Sequence, residues 1–135
     1  MLLLLGPIRT NAVARVVTPT RKFNHITPVL KQFHWLPVRY HIVFKILLLV
    51  YKALNGTAPS YISELLEYHT SERKLRSCSQ HLLATPKVRL KTYGERTFAV
   101  AEARLWNSIP LELRYSSSID ILNQHLKTYL FKQAF

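Results

Sequence analysis

Residues 37–54 constrain the fold more than any other part of the chain. Apolar residues occupy 42–44 and 46–51, so a helix here is apolar on nearly every side. Such a helix must be buried, either in a protein core or in a membrane. The apolar run between Lys45 and Lys52 is only six residues long, whereas a membrane-spanning helix needs about 20. The sequence therefore predicts no membrane span and a buried central helix, with Leu48 in the core.

The remainder is expected to form one small module, residues 1–135, around this helix. Residues 11–67 are predicted to be helical. Thr27-Pro28 has the pattern of an N-cap followed by proline at the first helical position, and Ala58-Pro59 begins a further helix. Asn55-Gly56 is typical of the end of a helix and closes the central one.

The second half of the chain has three predicted parts. Residues 68–80 are polar, basic and serine-bearing, which favours an exposed basic loop. Residues 81–96 predict a short β element, with strands at 81–84 and 88–92. Residues 97–135 predict two C-terminal helices, and the serines at 116–118 supply the N-cap of the second. The predicted fold class is mainly α with a small β element.

Charge is distributed unevenly along the chain. Nineteen Lys and Arg against seven Asp and Glu give a net charge of +12. No acidic residue precedes Glu64, and none lies between Arg73 and Lys91. A field of one sign repels itself, and a polyanionic partner relieves that repulsion. The pattern favours RNA or DNA as partner, through the phosphate backbone; the alternative is a solvated basic surface with no partner.

The candidate residues for binding nucleic acid come from the densest unopposed charge. Aromatic rings stack on bases while lysine and arginine neutralise phosphates, and Tyr93 lies among these basic residues. The predicted nucleic-acid-binding residues are Arg73, Lys74, Arg76, Lys87, Arg89, Lys91, Tyr93 and Arg96.

Catalysis and metal binding have little support in the sequence. Glu64 and Glu67 share a helical face but are expected to be solvated rather than a general acid/base pair. Cys78 and His81 supply only two of the four ligands that a structural zinc site requires. No phosphate-binding glycine loop is present. The sequence predicts no enzyme activity, cofactor, metal or small-molecule substrate. Trp35 and Trp106 are expected to anchor the core.

The single cysteine bears on location. Cys78 has no partner for an intramolecular disulfide, which favours a reducing compartment, the nucleus or the cytoplasm. The alternative is the mitochondrion, because the first 60 residues are acid-free and contain arginine, like a transit peptide.

Nine segments, in order, resemble one known family. They are His25-Ile26-Thr27-Pro28-Val29-Leu30, His34-Trp35-Leu36-Pro37-Val38, Phe44-Lys45-Ile46-Leu47, Tyr51-Lys52-Ala53-Leu54-Asn55-Gly56, Ala58-Pro59-Ser60-Tyr61-Ile62, Leu75-Arg76-Ser77, Val88-Arg89-Leu90-Lys91-Thr92-Tyr93-Gly94, Leu105-Trp106-Asn107-Ser108-Ile109-Pro110 and Leu126-Lys127-Thr128-Tyr129-Leu130-Phe131. Together they resemble the C-terminal tail of the reverse transcriptase polyprotein of LINE-type (non-LTR) retrotransposons. The resemblance covers about residues 11–135.

The resemblance implies a piece of a polymerase without its catalytic centre. The family's polymerase motif, an aromatic residue, any residue and then Asp-Asp, does not occur, and Asp120 is the only aspartate. By resemblance the chain is the thumb-like and terminal region after the catalytic palm, which would hold template RNA, primer or target DNA, or complete the polymerase fold. Two stretches depart from the family's pattern: residues 1–7, and Ala101-Glu102-Ala103, where the family usually has Ala-Pro.

The sequence leaves several functions open. The preferred one is a non-catalytic fragment that binds the nucleic-acid backbone. The alternatives are a structural or interaction module that docks on an absent polymerase domain, and a decayed open reading frame without function.

Overall fold

Helices make up most of the chain, which confirms the predicted fold class. The computed structural model describes residues 7–73, 75–94 and 97–135, and the side chains of residues 7–9, 77, 78 and 91 are also outside the description. The helices in these ranges are α1 (Pro7–Val17), α2 (Thr27–Gln32), α3 (Val38–Leu54), α4 (Ser60–Ser63), α5 (Lys91–Gly94), α6 (Phe98–Ser108), α7 (Leu111–Arg114) and α8 (Ile119–Ala134), with a 3₁₀ turn at Arg76–Ser79.

The predicted central helix is present as α3, and it ends where expected. Gly56 has a φ of +70°, in the left-handed region that glycine adopts without a steric penalty. Its N–H donates to the carbonyl of Ala53 (3.2 Å), and the N–H of Thr57 donates to the carbonyl of Lys52 (2.8 Å). These two bonds form a Schellman motif, which satisfies carbonyls at the end of the helix. None of the described helices is long and apolar enough to span a membrane.

Burial along α3 is less uniform than the sequence suggests. Leu47 and Val50 are fully buried, whereas Leu48 is only half-buried and Ile42 is 51% exposed. The prediction that Leu48 is a core residue is therefore wrong by one position. The helix buries one face, on which Leu47 lies, and adjacent residues of a helix point in directions about 100° apart.

The residues cluster into two compact units. Unit 1 consists of Met1–Phe44, of which residues 1–6 are outside the description, and Leu126–Phe135; unit 2 is Lys45–His125.

In unit 1, side chains from separate segments close around the start of α3. The hydroxyl of Tyr40 donates to the carbonyl of Gln133 (3.1 Å). The rings of His34 and Phe131 lie 5.1 Å apart. The Arg15 guanidinium donates to two backbone carbonyls of the following loop, which ties that loop to α1. The buried residues of this unit are Thr10, Ala14, Leu30, Leu36, Phe44, Leu126 and Leu130.

The start of α2 differs from its predicted form. Ile26, rather than Thr27, is the N-cap, and no side chain caps this end. Proline still occupies the first turn, where its missing N–H leaves no donor unsatisfied. The last helix, α8, follows the prediction, because the Ser118 hydroxyl accepts a hydrogen bond from the N–H of Ile121 (3.3 Å).

Unit 2 is organised around Trp106, which is 1% exposed and confirms the expectation of a core anchor. Trp35, in unit 1, is only half-buried, so the same expectation is wrong for it. In unit 2, α6 runs unbroken through residues 101–103. A short helix that the sequence did not predict, α7, follows it after Pro110.

The predicted β element of residues 81–96 is reduced to a single bridge among the described residues. Leu83 pairs antiparallel with Tyr68, and the flanking hydrogen bonds join His69 to Leu82 (2.8 Å) and Ala84 to Glu67 (2.7 Å). The second predicted strand, 88–92, does not form, because its end is coiled into α5. The partner of residues 82–84 is thus an earlier segment rather than the next one.

Candidate nucleic-acid interface

Five of the eight predicted nucleic-acid-binding residues have described side chains, and all of these are exposed. They are Arg73, Arg76, Lys87, Arg89 and Tyr93, the last of which is 79% exposed. Lys91 begins α5, but its side chain is outside the description, as are Lys74 and Arg96 altogether. We call residues 73–94 the basic segment.

Side chains of α6 and α7 fix the middle of the basic segment by hydrogen bonds to its backbone. Trp106 Nε1 donates to the carbonyl of His81 (3.0 Å). Asn107 pairs with both backbone groups of Leu83: its Nδ2 donates to the carbonyl, and its Oδ1 accepts from the N–H, each at 2.9 Å. Asn107 thus makes the pair of backbone hydrogen bonds that a neighbouring β-strand would make.

Two further bonds extend this attachment towards the start of the segment. Arg114 Nη1 donates to the carbonyl of Gln80 (2.9 Å), and the hydroxyl of Tyr115 donates to the carbonyl of Ser79. Together with the bonds from Trp106 and Asn107, these bonds tie the backbone of residues 79–83 to residues 106–115 without a sheet.

The end of the basic segment is a compact turn. The N–H of Gly94 donates to the carbonyl of Leu90 (2.8 Å). A Cβ at Gly94 would overlap the side chain of Val88, so the close approach of these two residues requires glycine here. The turn therefore carries Arg89 and Tyr93 on one short, closed piece of chain. Arg73 and Arg76 lie in a separate exposed stretch, between the two residues of the bridge, Tyr68 and Leu83.

The electrostatics of the basic segment follow from its composition and exposure. No acidic residue occurs between Arg73 and Gly94. Besides Tyr93, the apolar side chains of Leu75 and Leu90 are 55% and 65% exposed. The segment thus presents positive charge beside an exposed aromatic ring, a combination that is found where proteins hold single-stranded nucleic acid.

Other residues that the sequence raised as chemical candidates are exposed, or lie outside the part of the chain that the structure describes. Glu64 and Glu67 are both exposed. Among the described residues, no three His, Cys, Asp or Glu side chains are grouped so that they could hold a metal ion. The side chain of Cys78 is outside the description.

Sequence reasoning missed the residues that position the basic segment. Asn107, Arg114 and Tyr115 all bond to its backbone, yet none lies in a motif that announces this. Asn107 falls in one of the segments that carry the family resemblance, and that is the one sequence signal that points to it.

Comparisons with known proteins find no matching family model, no matching curated protein and no matching solved structure.

Proposed function

We propose that the chain binds the phosphate backbone of RNA or DNA through the basic segment, without catalysing a reaction. The observation that carries the proposal is the exposure of Arg73, Arg76, Lys87 and Arg89 together with Tyr93, in a stretch without acidic residues. The resemblance to the tail of a LINE-type reverse transcriptase supports the same function, with a polymerase domain as a further partner. We expect the chain to bind its partners in the nucleus or the cytoplasm.

The physical basis is release of counterions. Each phosphate that a lysine or arginine neutralises frees condensed cations, which gives affinity without sequence preference. A tyrosine ring adds stacking that tolerates any base. The bonds from α6 and α7 hold part of the basic segment in place before binding, so less chain entropy is lost on association.

The salt dependence of binding tests this proposal. If about four phosphates are neutralised, log K against log salt has a slope of roughly −3 to −4. We expect the combined replacement of Arg73, Arg76, Lys87 and Arg89 by glutamine to flatten the slope, by about one unit for each phosphate that is no longer neutralised. Fluorescence anisotropy of a labelled oligonucleotide over a range of salt concentrations measures it.

The matched control removes the same charge from unit 1. Four exposed basic residues serve for this: Arg21, Lys22, Lys31 and Arg39. Their combined replacement by glutamine should keep the slope of log K against log salt close to that of the parent. If this control abolishes binding while the first variant keeps the parent's slope, the interface is on unit 1. If neither variant changes binding, the charge is only a solvated surface.

We further expect no polymerase activity from the chain. Two-metal phosphoryl transfer needs carboxylates to hold the ions, and Asp120 is the single aspartate of the sequence. Primer extension with Mg²⁺ or Mn²⁺ should give no product above that of boiled protein. Extension that survives purification and is lost on boiling would contradict this expectation.

A docking function is the second candidate, and exposed apolar residues in unit 1 favour it. Val16 is 83% exposed, Val17 57% and Phe23 92%. The three lie within eight residues of the chain, and a contiguous exposed apolar patch marks an interaction surface. Under this function the partner is a polymerase domain, and the glutamine variant of the basic segment would still bind that partner.

A further inference from the structure

Unit 2 contains a cavity of about 220 Å³ next to the basic segment. Part of its wall is the segment itself, at His81, and Tyr68 lies on the strand-like stretch that pairs with Leu83. An engineered cavity of about 150 Å³ holds one benzene ring, so this one has room for one planar ring and a small group. Its walls are mostly aromatic and contain one cation; the residues that matter here are Tyr51, Tyr68, His81, Trp106, Arg114 and Tyr115.

Arg114 is the residue of the wall that suggests a ligand. Its Nη1 is bonded to the carbonyl of Gln80, but its Nε is buried and has no hydrogen-bond partner in the described chain. Burial lowers the pKa of this guanidinium, while Tyr115 acts in the opposite direction. Arginine nevertheless stays charged at neutral pH. A buried N–H without an acceptor costs free energy, and because this N–H belongs to a cation, an anionic acceptor would form the strongest hydrogen bond with it.

Three other polar groups of the cavity are already bonded within the protein. The hydroxyl of Tyr51 donates to the carbonyl of Ser116 (2.9 Å), that of Tyr115 to Ser79, and Trp106 Nε1 to His81. These groups hold the wall in place. Arg114 is thus the cation of the wall whose Nε–H has no acceptor among the described residues, while Tyr51, Trp106 and Tyr115 supply ring surface rather than further donors.

The rings are arranged around His81. This residue has a φ of +49°, a left-handed conformation that is uncommon for residues other than glycine. Its ring meets that of Tyr115 edge-on at 4.5 Å and that of Tyr68 at 6.1 Å. Sparsely populated backbone conformations persist where surrounding structure determines them, and they cluster at binding sites.

We propose that this cavity binds the 5′-phosphorylated end of a nucleic-acid strand, with the terminal phosphate on Arg114 and the first base against the rings. This inference rests on the proposed function and adds the class of ligand. A nucleotide inside a duplex cannot enter a cavity that holds one ring, whereas a strand end can. A terminal phosphate monoester carries more negative charge than a backbone diester, which suits a single unopposed arginine.

The test compares one short single-stranded oligonucleotide with and without a 5′-phosphate. In a Trp35→Phe background, Trp106 is the remaining tryptophan and reports on the cavity. We expect the phosphorylated strand to bind about tenfold more tightly, as charge-assisted hydrogen bonds allow, and to change the Trp106 emission. Arg114→Gln should reduce this ratio to one, and Lys127→Gln, which removes an exposed charge of unit 1, should leave it unchanged.

Several outcomes overturn the inference while the proposed function stands. One is equal binding of the two strands with the normal salt slope. Another is an equal fall, in Arg114→Gln and Lys127→Gln, of the ratio between the affinities for the phosphorylated and the unphosphorylated strand. That result would show a general effect of charge. If Arg114→Gln melts below the assay temperature, Arg114→Lys replaces it, since lysine keeps the charge but lacks Nε and the planar fork. An unchanged ratio in that variant also contradicts the inference.

Failure of the proposed function is recognised separately. If neither strand binds, the basic segment does not bind nucleic acid, and adenosine 5′-monophosphate and adenosine then test the cavity alone. A change in Trp106 emission with the monophosphate and not with adenosine supports the cavity site. No change with either compound overturns it.

Discussion

Replacing Leu47 with aspartate is expected to unfold the protein. Leu47 is fully buried on α3, so the new carboxylate would lie in an apolar core without a hydrogen-bond donor or a cation to pair with. An uncompensated buried charge costs about 3–5 kcal/mol, which is much of the roughly 5–15 kcal/mol that stabilises a typical domain. Circular dichroism should show the loss of the cooperative melting transition, or a much lower melting temperature.

The same helix supplies a matched control. Ile42→Asp places the same charge at a side chain that is 51% exposed, and we expect it to change the free energy of unfolding by about 0.5 kcal/mol or less. Leu48→Asp, at a half-buried position, should fall between the two. A Leu47→Asp variant that melts within a few degrees of the parent would show that α3 is not the core helix.

Replacing Glu102 with glutamine is expected to stabilise the protein at neutral and alkaline pH. Glu102 is 0% exposed, and neither carboxyl oxygen has a hydrogen-bond partner among the described residues. Burial raises the pKa of this carboxyl from 4.5 to about 7. The raised pKa means that the folded state holds the proton more tightly than the unfolded chain does.

The direction of the pH effect follows from this difference. Below about pH 4.5 both states are protonated, and Glu102 carries no penalty. As the pH rises towards 7, the unfolded chain loses the proton first, so the stability of the native protein falls. Above pH 7 the full penalty is present, up to about 3 kcal/mol from the size of the shift. Glutamine has no proton to lose and avoids this fall.

Urea unfolding of the parent and Glu102→Gln between pH 4 and pH 8 measures the effect. The difference in free energy of unfolding between the two should grow in favour of the variant from pH 4.5 to 7 and then level off. Glu64→Gln, at an exposed carboxyl, is the control and should show no such growth. A Glu102→Gln difference that is the same at every pH would mean that this carboxyl titrates normally.

Much of the helical part could be predicted from the sequence, because its signals are local. The apolar run of α3 requires burial whatever surrounds it, and Gly56 ends the helix through its own backbone freedom. Ser118 caps α8 within one turn. In each case the residues that decide the structure are within a few positions of each other.

The candidate site could be predicted only in part. Exposure of the basic segment follows from its polar, charged composition, and the five predicted residues with described side chains are indeed exposed. The cavity behind it could not be foreseen, since Tyr51, His81 and Arg114 come from three distant parts of the chain. Spacing along a sequence does not show that residues so far apart line the same cavity.

The sequence by itself determined the helical character, the central helix and the concentration of charge in residues 73–94. Only the tertiary structure decided that Leu47 rather than Leu48 is buried, and that residues 82–84 pair with residues 67–69 rather than with 88–92. The physical reason is the same for both. Helix formation and net charge depend on neighbouring residues, whereas the buried face of a helix and the partner of an extended segment depend on the side chains that pack against them. Here Trp106 and Asn107 take the backbone bonds that a second strand would have taken.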